Sequence, residues 1–295
     1  MRIIVTHTSP DLDAITSVWF IKRFLTGWEN ASVKFVPAGD RLNLESEKIS
    51  PEDYPDPVET IGEDEVIHVD TGLGPLDHHQ TESDKVCGAS LTLEFVIGQA
   101  KIKEEKVAAL KRMAKVIVDI DHFKEVYRPD AISDYHEFEL EGILEGYKYQ
   151  FPGKDDLYME EVMKLLDAIL HNFENRIWAE KEIKEKGLEF QISQGKALGI
   201  ETLNDSVIKL AQIMGFSLVI RKDPNTGYVR IKASPSADID LSAAYGQLKQ
   251  ADPDATWFLH VSKRMLLNGT SKNPKMKPTK LRLSFIIDII KKIYG

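Results

Sequence analysis

The sequence predicts an α/β protein in which a long helix joins a parallel-sheet domain to a smaller α+β domain. In the first half of the chain, short apolar runs alternate with helical patterns, which is typical of a parallel sheet covered by helices. A helical pattern without internal Pro or Gly spans residues 157–186, and strand and hairpin patterns dominate after it. We therefore expect domains at 1–155 and 188–295, with a linker helix at 156–187.

Each element of the first domain follows from a local pattern. Ile3-Ile4-Val5 has the continuous apolar character of a buried strand, whereas the apolar residues after Asp13 recur at helical spacing. Strands are predicted at 2–6, 32–37 and 66–69, and helices at 13–25, 90–97, 104–120 and 137–149. Residues 50–57 are rich in Pro and Asp and predict a surface connection.

The second domain contains one strong hairpin signal. Asp223-Pro224-Asn225-Thr226-Gly227 separates two strand patterns, as expected for a turn between antiparallel neighbours. Strands are predicted at 190–192, 216–221, 228–233 and 257–261, and helices at 203–214, 241–248 and 281–293.

Composition favours a cytoplasmic globular protein. The chain has 295 residues, of which 42% are hydrophobic and 29% charged. It has no apolar stretch long enough to cross a membrane and no signal-peptide pattern. Its single cysteine, Cys87, excludes an internal disulfide and fits a reducing compartment.

The charge is distributed unevenly along the chain. The net charge is −9, which argues against a general nucleic-acid coat. Residues 260–295 nevertheless carry nine Lys or Arg and one Asp, so this segment has a charge of +8. Two interpretations remain open: a local grip for an anion, or a solvated basic tail.

Residues typical of metal ligands occur at three places in the first half of the chain. His7, Asp11 and Asp13 follow the first strand, Asp70 follows the third, and Asp77-His78-His79 comes soon after. Each could individually be a cap or a polar turn, but the carboxyl ends of parallel strands bring such residues together. Mixed carboxylates and imidazoles suit Mn²⁺, Mg²⁺, Fe²⁺ or Zn²⁺. Two such metals bridged by a carboxylate form a phosphoryl-transfer site.

As a set, these motifs resemble the DHH phosphoesterase superfamily, which includes single-strand exonucleases, nanoRNases, cyclic-dinucleotide phosphodiesterases and manganese pyrophosphatases. The chain is most similar to the melanocyte-proliferating-gene family of nucleases. That similarity rests on Asp77-His78-His79-Gln80 soon after Val69-Asp70-Thr71-Gly72, followed by Gly88-Ala89-Ser90-Leu91. It covers roughly residues 1–125, and residues 256–269 faintly echo the family's C-terminal region.

The resemblance implies roles for individual residues. His7 and Asp11 ligate one metal, Asp13 and His78 ligate the other, and Asp70 bridges both. The metals are expected to be Mn²⁺, with Mg²⁺ as the alternative. The sheet domain is then a DHH-type catalytic domain.

Three further roles come from the same resemblance. Asp77 is expected to orient a histidine. His79 faces the scissile phosphate and donates to its oxygen or to the leaving group. One more carboxylate is expected on the second metal; the alternatives are Asp119 and Asp121, and Asp121 is preferred.

Substrate contacts are expected from the C-terminal domain. His260, Lys263 and Arg264 follow a predicted strand, and the loop at 268–274 offers backbone amides and Lys272 to a phosphate. An ordinary flexible loop is the alternative.

The sequence therefore predicts a hydrolase that cleaves phosphodiester bonds of short single-stranded nucleic acid or nucleotides. The alternatives are a manganese-dependent pyrophosphatase or small-nucleotide phosphatase, and a nucleotide-binding module without turnover. No membrane partner is expected, and a homodimer is left open.

Overall fold

The computed structural model describes residues 1–43, 50–270 and 273–295. The chain divides into two compact units, Met1–Glu174 and Asn175–Gly295. This boundary lies inside the long helix α5 (Asp155–Lys186), so both units contain part of that helix. The finer division into two domains and a linker stays a prediction. Among the described residues, no helix is both long enough and apolar enough to cross a membrane.

The first unit is built around a four-stranded sheet with the order β2-β1-β4-β3. Its strands are β1 (Arg2–His7), β2 (Ser32–Val36), β3 (Glu59–Ile61) and β4 (Asp64–His68). Its helices, besides the first part of α5, are α1 (Leu12–Phe24), α2 (Gly88–Gln99), α3 (Glu104–Asp121) and α4 (Leu140–Gln150). Short 3₁₀ turns occur at Pro51–Asp53, Lys124–Tyr127 and Asp134–Phe138.

The three strands predicted for this sheet pair in parallel, as expected, and a fourth strand that was not predicted pairs antiparallel. β1 pairs in parallel with both β2 and β4, whereas β3 pairs antiparallel with β4. Ile61 and Asp64 are paired across a two-residue turn in which Gly62 has a φ of 66°. This hairpin was not predicted from the sequence, and its turn needs a residue that tolerates positive φ.

The core of the first unit explains why the sequence of β1 contains a continuous run of apolar residues. Ile3, Ile4 and Val5 are all at most 1% exposed, because β1 is a central strand covered on both faces. α1 is buried from Leu12 to Ile21 and packs against α2 and α3. This packing fixes the N-terminus of α1 beside the carboxyl end of β1.

The second unit contains a six-stranded mixed sheet with the order β5-β6-β7-β8-β10-β9. Its strands are β5 (Leu188–Ile192), β6 (Gly195–Glu201), β7 (Leu218–Lys222), β8 (Val229–Ala233), β9 (Trp257–Leu259) and β10 (Met265–Asn268). Its helices, besides the end of α5, are α6 (Ser206–Ile213), α7 (Ser242–Ala251) and α8 (Leu283–Tyr294). Only β6 and β7 pair in parallel among these strands.

The two faces of this sheet form separate apolar clusters. Leu218 and Ile220 of β7 belong to the cluster that contains α7 and α8, whereas Val219 belongs to the one that contains α6. The alternation follows from the two-residue period of a strand. The predicted hairpin is confirmed, because the amide of Gly227 donates to the carbonyl of Asp223 between antiparallel β7 and β8.

Candidate metal centre

The first residues of the site lie at the carboxyl ends of two neighbouring parallel strands. His7 is the last residue of β1, and Asp70 follows β4, which lies next to β1. The amide of Val69 donates to the carbonyl of Val5 at 2.9 Å, so the pairing continues almost to Asp70. Asp70 itself has a φ of 52°, an uncommon conformation for a residue with a side chain, and such strain is often found at functional sites.

One group of possible metal ligands contains His7, Asp11 and Asp70. The Nε2 atom of His7 lies 3.4 Å from Oδ2 of Asp70 and 3.8 Å from Oδ2 of Asp11. The Nδ1 atom of His7 is 2.9 Å from the carbonyl of Thr8. Donation from Nδ1 to that carbonyl leaves Nε2 available for a metal. Asp11 caps α1 by accepting from the amide of Ala14 with Oδ1, which leaves Oδ2 available as well.

A second group surrounds His78. Its Nε2 atom lies 3.5 Å from Oδ1 of Asp70, 3.6 Å from Oδ2 of Asp121 and 3.7 Å from Oδ2 of Asp13. Within the described part of the chain, Nε2 of His78, Oδ1 of Asp70 and Oδ2 of Asp121 are buried and have no hydrogen-bond partner. Buried polar atoms without partners are costly, and a shared cation would satisfy all three. The donor set therefore fits a divalent metal.

Asp70 connects the two groups, since its Oδ2 faces His7 and its Oδ1 faces His78. Burial opposes ionisation of Asp70, but the imidazoles of His7 and His78 beside it outweigh burial and hold its pKa well below the usual range. The carboxylate is thus ionised at neutral pH. One carboxylate with an oxygen in each group is the geometry of a bridging ligand.

The other carboxylates show how crowded the site is. The pKa values of Asp11, Asp13 and Asp121 are all raised, with burial as the largest cause and the charge of Asp70 as a further one. Burial lowers the pKa of His7, but the hydrogen bond with Asp70 and the charge of Asp11 outweigh this and raise it to about 9. These groups together favour positive charge at the site.

Asp13 has a second function in the fold. Its Oδ2 accepts from the amide of Gly88 at 2.7 Å and its Oδ1 from the amide of Ala89 at 2.6 Å. Asp13 therefore ties α1 to the N-terminus of α2, where the helix dipole favours an anion. A carboxylate oxygen has a second lone pair, so these bonds leave Asp13 able to ligate a metal.

Two residues that the sequence analysis did not assign also shape the site. A Cβ atom on Gly88 would lie 2.9 Å from Cβ of Asp70 and 3.0 Å from Oδ2 of Asp13, so only glycine fits there. Arg41 is 4% exposed and donates from Nη1 to the carbonyl of Gly72 at 2.8 Å, which holds the loop after Asp70. Gly88 belongs to the Gly88-Ala89-Ser90 motif, which is recognisable in the sequence, whereas no sequence motif contains Arg41.

His79 is held by Asp77, and its Nδ1 also lies 3.9 Å from Oδ1 of Asp70. Its Nδ1 is 2.7 Å from Oδ1 of Asp77, and its amide donates to the same oxygen. Oδ2 of Asp77 accepts from the amide of Leu73. The hydrogen bond to Asp77 is the main reason why the pKa of His79 rises to about 9. The imidazole is 58% exposed and is therefore an accessible cation at neutral pH.

The two alternatives for the last ligand occupy different environments. Asp121 lies beside His78, as described above, whereas Asp119 is 45% exposed and lies 3.6 Å from Nζ of Lys124. The structure does not bring Asp119 to the site. The Nε2 atom of His122 lies 3.6 Å from Oδ2 of Asp121 and 2.9 Å from the carbonyl of Val86.

The described residues that were predicted to bind substrate contact other residues of the second unit. Nδ1 of His260 contacts Ser262, and Nζ of Lys263 lies 3.1 Å from Oδ2 of Asp240. Nη1 of Arg264 donates to the carbonyls of residues 234, 235 and 237. Arg264 thus has a structural role that was not predicted from the sequence. Lys272 lies outside the described residues.

Comparisons with known proteins give a fold-level likeness only. The sequence matches no protein-family profile and no curated protein. Solved structures that resemble it include an uncharacterized protein from Helicobacter pylori G27, with 13% identity, a TM-score of 0.27 and coverage of 100% of this chain and 99% of that one. A DHH-domain protein, described as a member of a family of ribosomal proteins, has 11% identity, a TM-score of 0.34 and coverage of 99% and 86%. A proposed family II inorganic pyrophosphatase from Methanococcus jannaschii has 13% identity, a TM-score of 0.24 and coverage of 100% and 99%.

Proposed function

We propose that this chain is a two-metal-dependent phosphohydrolase of the DHH phosphoesterase type that cleaves phosphodiester bonds. The observation that carries the proposal is the position of Asp70, whose two oxygens face separate groups of metal-ligand atoms. A site of this kind needs a shared carboxylate, and Asp70 is 2% exposed and ionised. The motifs that resemble this superfamily contain the same residues.

Each metal has its own ligands in this proposal. His7, Asp11 and Asp70 would hold the first, while Asp13, Asp70, His78 and Asp121 would hold the second. Carboxylates mixed with imidazoles favour Mn²⁺, with Mg²⁺ as the alternative. When bound, two divalent ions lower the pKa of a water molecule and polarise the phosphoryl oxygens.

His79 supplies the proton in the proposed reaction. Asp77 fixes Nδ1 of the imidazole, so Nε2 is the nitrogen that faces outward to a phosphoryl oxygen or a leaving group. A pKa of about 9 keeps His79 protonated at neutral pH. A general acid is expected to contribute about 10²-fold or more to the rate.

The proposed substrate is a short single-stranded nucleic acid or a nucleotide. A short chain needs few basic contacts, which suits a protein of charge −9 with a segment of charge +8. Within the superfamily, the nucleases of the melanocyte-proliferating-gene family are the proposed relatives.

A turnover assay with Mn²⁺ tests the proposal, using bis(p-nitrophenyl) phosphate, a labelled five-nucleotide RNA and pyrophosphate. Asp121→Asn should reduce hydrolysis more than tenfold, because it removes a ligand oxygen. Asp119→Asn is the matched control, since it makes the same change two residues away, and should stay within twofold of wild type. Cleavage of pyrophosphate alone would identify a pyrophosphatase, and no Mn²⁺-dependent hydrolysis would identify a binding module.

A further inference from the structure

A cavity of about 280 Å³ lies within the first unit, next to the metal-ligand carboxylates. Asp11, Asp13 and Asp121 form one side of it. The rest of its lining comes from α1, α3, α4 and Phe123, which directly precedes the 3₁₀ turn at Lys124–Tyr127. All of the residues that line the cavity belong to the first unit, and the structure describes every one of them. A ligand in this cavity would therefore adjoin the site of the proposed reaction.

The lining of this cavity is partly apolar. Leu12, Ile117 and Leu144 line it and are at most 5% exposed, and the ring of Phe123 lines it while remaining 69% exposed. A bare cation or a pyrophosphate ion has no apolar surface to bury, so contact with these side chains adds no binding free energy. A group with apolar faces binds more tightly, because burying those faces removes them from water. A flat aromatic group can also stack on Phe123.

Two carboxylates of α4 complete the lining, and they differ in their contacts. Glu145 is paired with Nζ of Lys148 at 2.8 Å. Glu141, one helical turn earlier, lines the cavity and makes no hydrogen bond or ion pair with any described residue. Its pKa is raised by burial and by neighbouring acids such as Glu125 and Glu145. An accessible carboxylate of this kind accepts hydrogen bonds and repels phosphate.

We infer that this cavity holds the nucleobase of the substrate and that Glu141 selects guanine. The inference rests on the proposed function, for which it specifies the substrate. Phosphates are repelled from a wall that contains Glu141, whereas an uncharged base enters with its faces against Leu12, Leu144 and Phe123. Guanine presents two adjacent donors, N1–H and the N2 amino group, to one carboxylate. Uracil offers one donor between two acceptors, and hypoxanthine lacks the N2 amino group.

Equilibrium binding tests the base site without requiring catalysis. Titration calorimetry with Mn²⁺-loaded protein compares guanosine, inosine and uridine 5′-monophosphates. Guanosine monophosphate should bind at least fivefold more tightly than the other two. Glu141→Gln should remove that preference without changing the Mn²⁺ content. Glu137→Gln is the matched control, because Glu137 is exposed, lies outside the cavity and undergoes the same loss of charge.

A second variant tests the apolar wall. Phe123→Leu should weaken guanosine and inosine monophosphates equally, since stacking does not depend on the base edge. Equal binding of all three nucleotides to wild type, no nucleotide binding, or equal effects of Glu141→Gln and Glu137→Gln would overturn the inference. Loss of bound Mn²⁺ in Glu141→Gln would also overturn it, because Glu141 would then be a metal ligand. Hydrolysis of bis(p-nitrophenyl) phosphate, which has no base, reports separately on the proposed function.

Discussion

The Nε2 atom of His78 lies 3.5 Å from Oδ1 of Asp70, and neither atom has a hydrogen-bond partner within the described residues. Burial of two such groups is unfavourable unless something else binds them. The pair therefore marks the place where the proposed second metal is held. Because His78 is the proposed metal ligand and His79 the proposed proton donor, mutagenesis can distinguish loss of metal from loss of proton transfer.

Asp70→Asn should abolish turnover while preserving the fold. Asparagine tolerates positive φ, so it accepts the backbone conformation of Asp70, whose φ is 52°, better than alanine does. The change removes the charge that both ligand groups share. We expect turnover below a tenth of wild type, a barrier increase of more than about 1.4 kcal/mol, with an unchanged circular dichroism spectrum. Turnover above that level would contradict the bridging role.

His78→Ala and His79→Ala should have different consequences. His78 lies among three carboxylates, so its removal should lower the Mn²⁺ content of the purified protein. His79 contacts Asp77 and is largely exposed, so its removal should keep the metal and slow the reaction about 10²-fold. Elemental analysis and turnover rates of both variants decide this. Equal loss of metal would show that both histidines are ligands.

The sequence predicts the convergence of His7 and Asp70 because both follow parallel strands, and strand ends meet at one sheet edge. It does not decide between Asp119 and Asp121 on motif spacing alone. Two residues along α3 correspond to roughly 200° of rotation, so the two carboxylates lie on opposite faces of the helix. The position of α3 against α1 and α2 then brings Asp121, and not Asp119, beside His78.

Other features depend on contacts between distant parts of the chain and leave no local pattern. Arg41 reaches Gly72, and Arg264 reaches the carbonyls of the turn that follows β8. A basic residue after a strand looks the same in sequence whether it meets a phosphate or a backbone carbonyl. Its role is set by tertiary structure alone.

Arg264→Met should lower stability and leave the chemistry unchanged. The variant keeps the aliphatic part of the side chain but loses three hydrogen bonds to carbonyls. Hydrogen bonds from a charged donor contribute about 1.5–3 kcal/mol, so the melting temperature should fall measurably. Hydrolysis of bis(p-nitrophenyl) phosphate should stay within twofold of wild type. An unchanged melting temperature with a raised KM for the RNA would restore the predicted substrate-binding role.

The carboxyl group of Asp240 should titrate far below neutral pH. Hydrogen bonds from the hydroxyl and amide of Ser242, and then the contact with Lys263, lower the pKa of Asp240 from 3.8 to about 2. Because the folded-state pKa is depressed, any stabilisation is present above pH 3.8 and is lost as the pH falls through 2. Carboxyl NMR titration should give this pKa in wild type and a higher one in Lys263→Met. Identical values would show that Lys263 does not contact the carboxylate in solution.

Gly88→Ala should damage the metal centre, whereas Gly98→Ala in the same helix should not. Both glycines lie in α2, but a Cβ on Gly88 would press on Asp13 and Asp70, and one on Gly98 would meet nothing within 4 Å. The first variant should lose Mn²⁺ affinity and turnover, because two proposed ligands must move. The second should keep both and gain up to about 1 kcal/mol of stability, since alanine is the better helix former. Metal titration, turnover and thermal unfolding of the two variants make the comparison. Wild-type Mn²⁺ affinity in Gly88→Ala would show that the close approach of α2 to Asp70 does not shape the site.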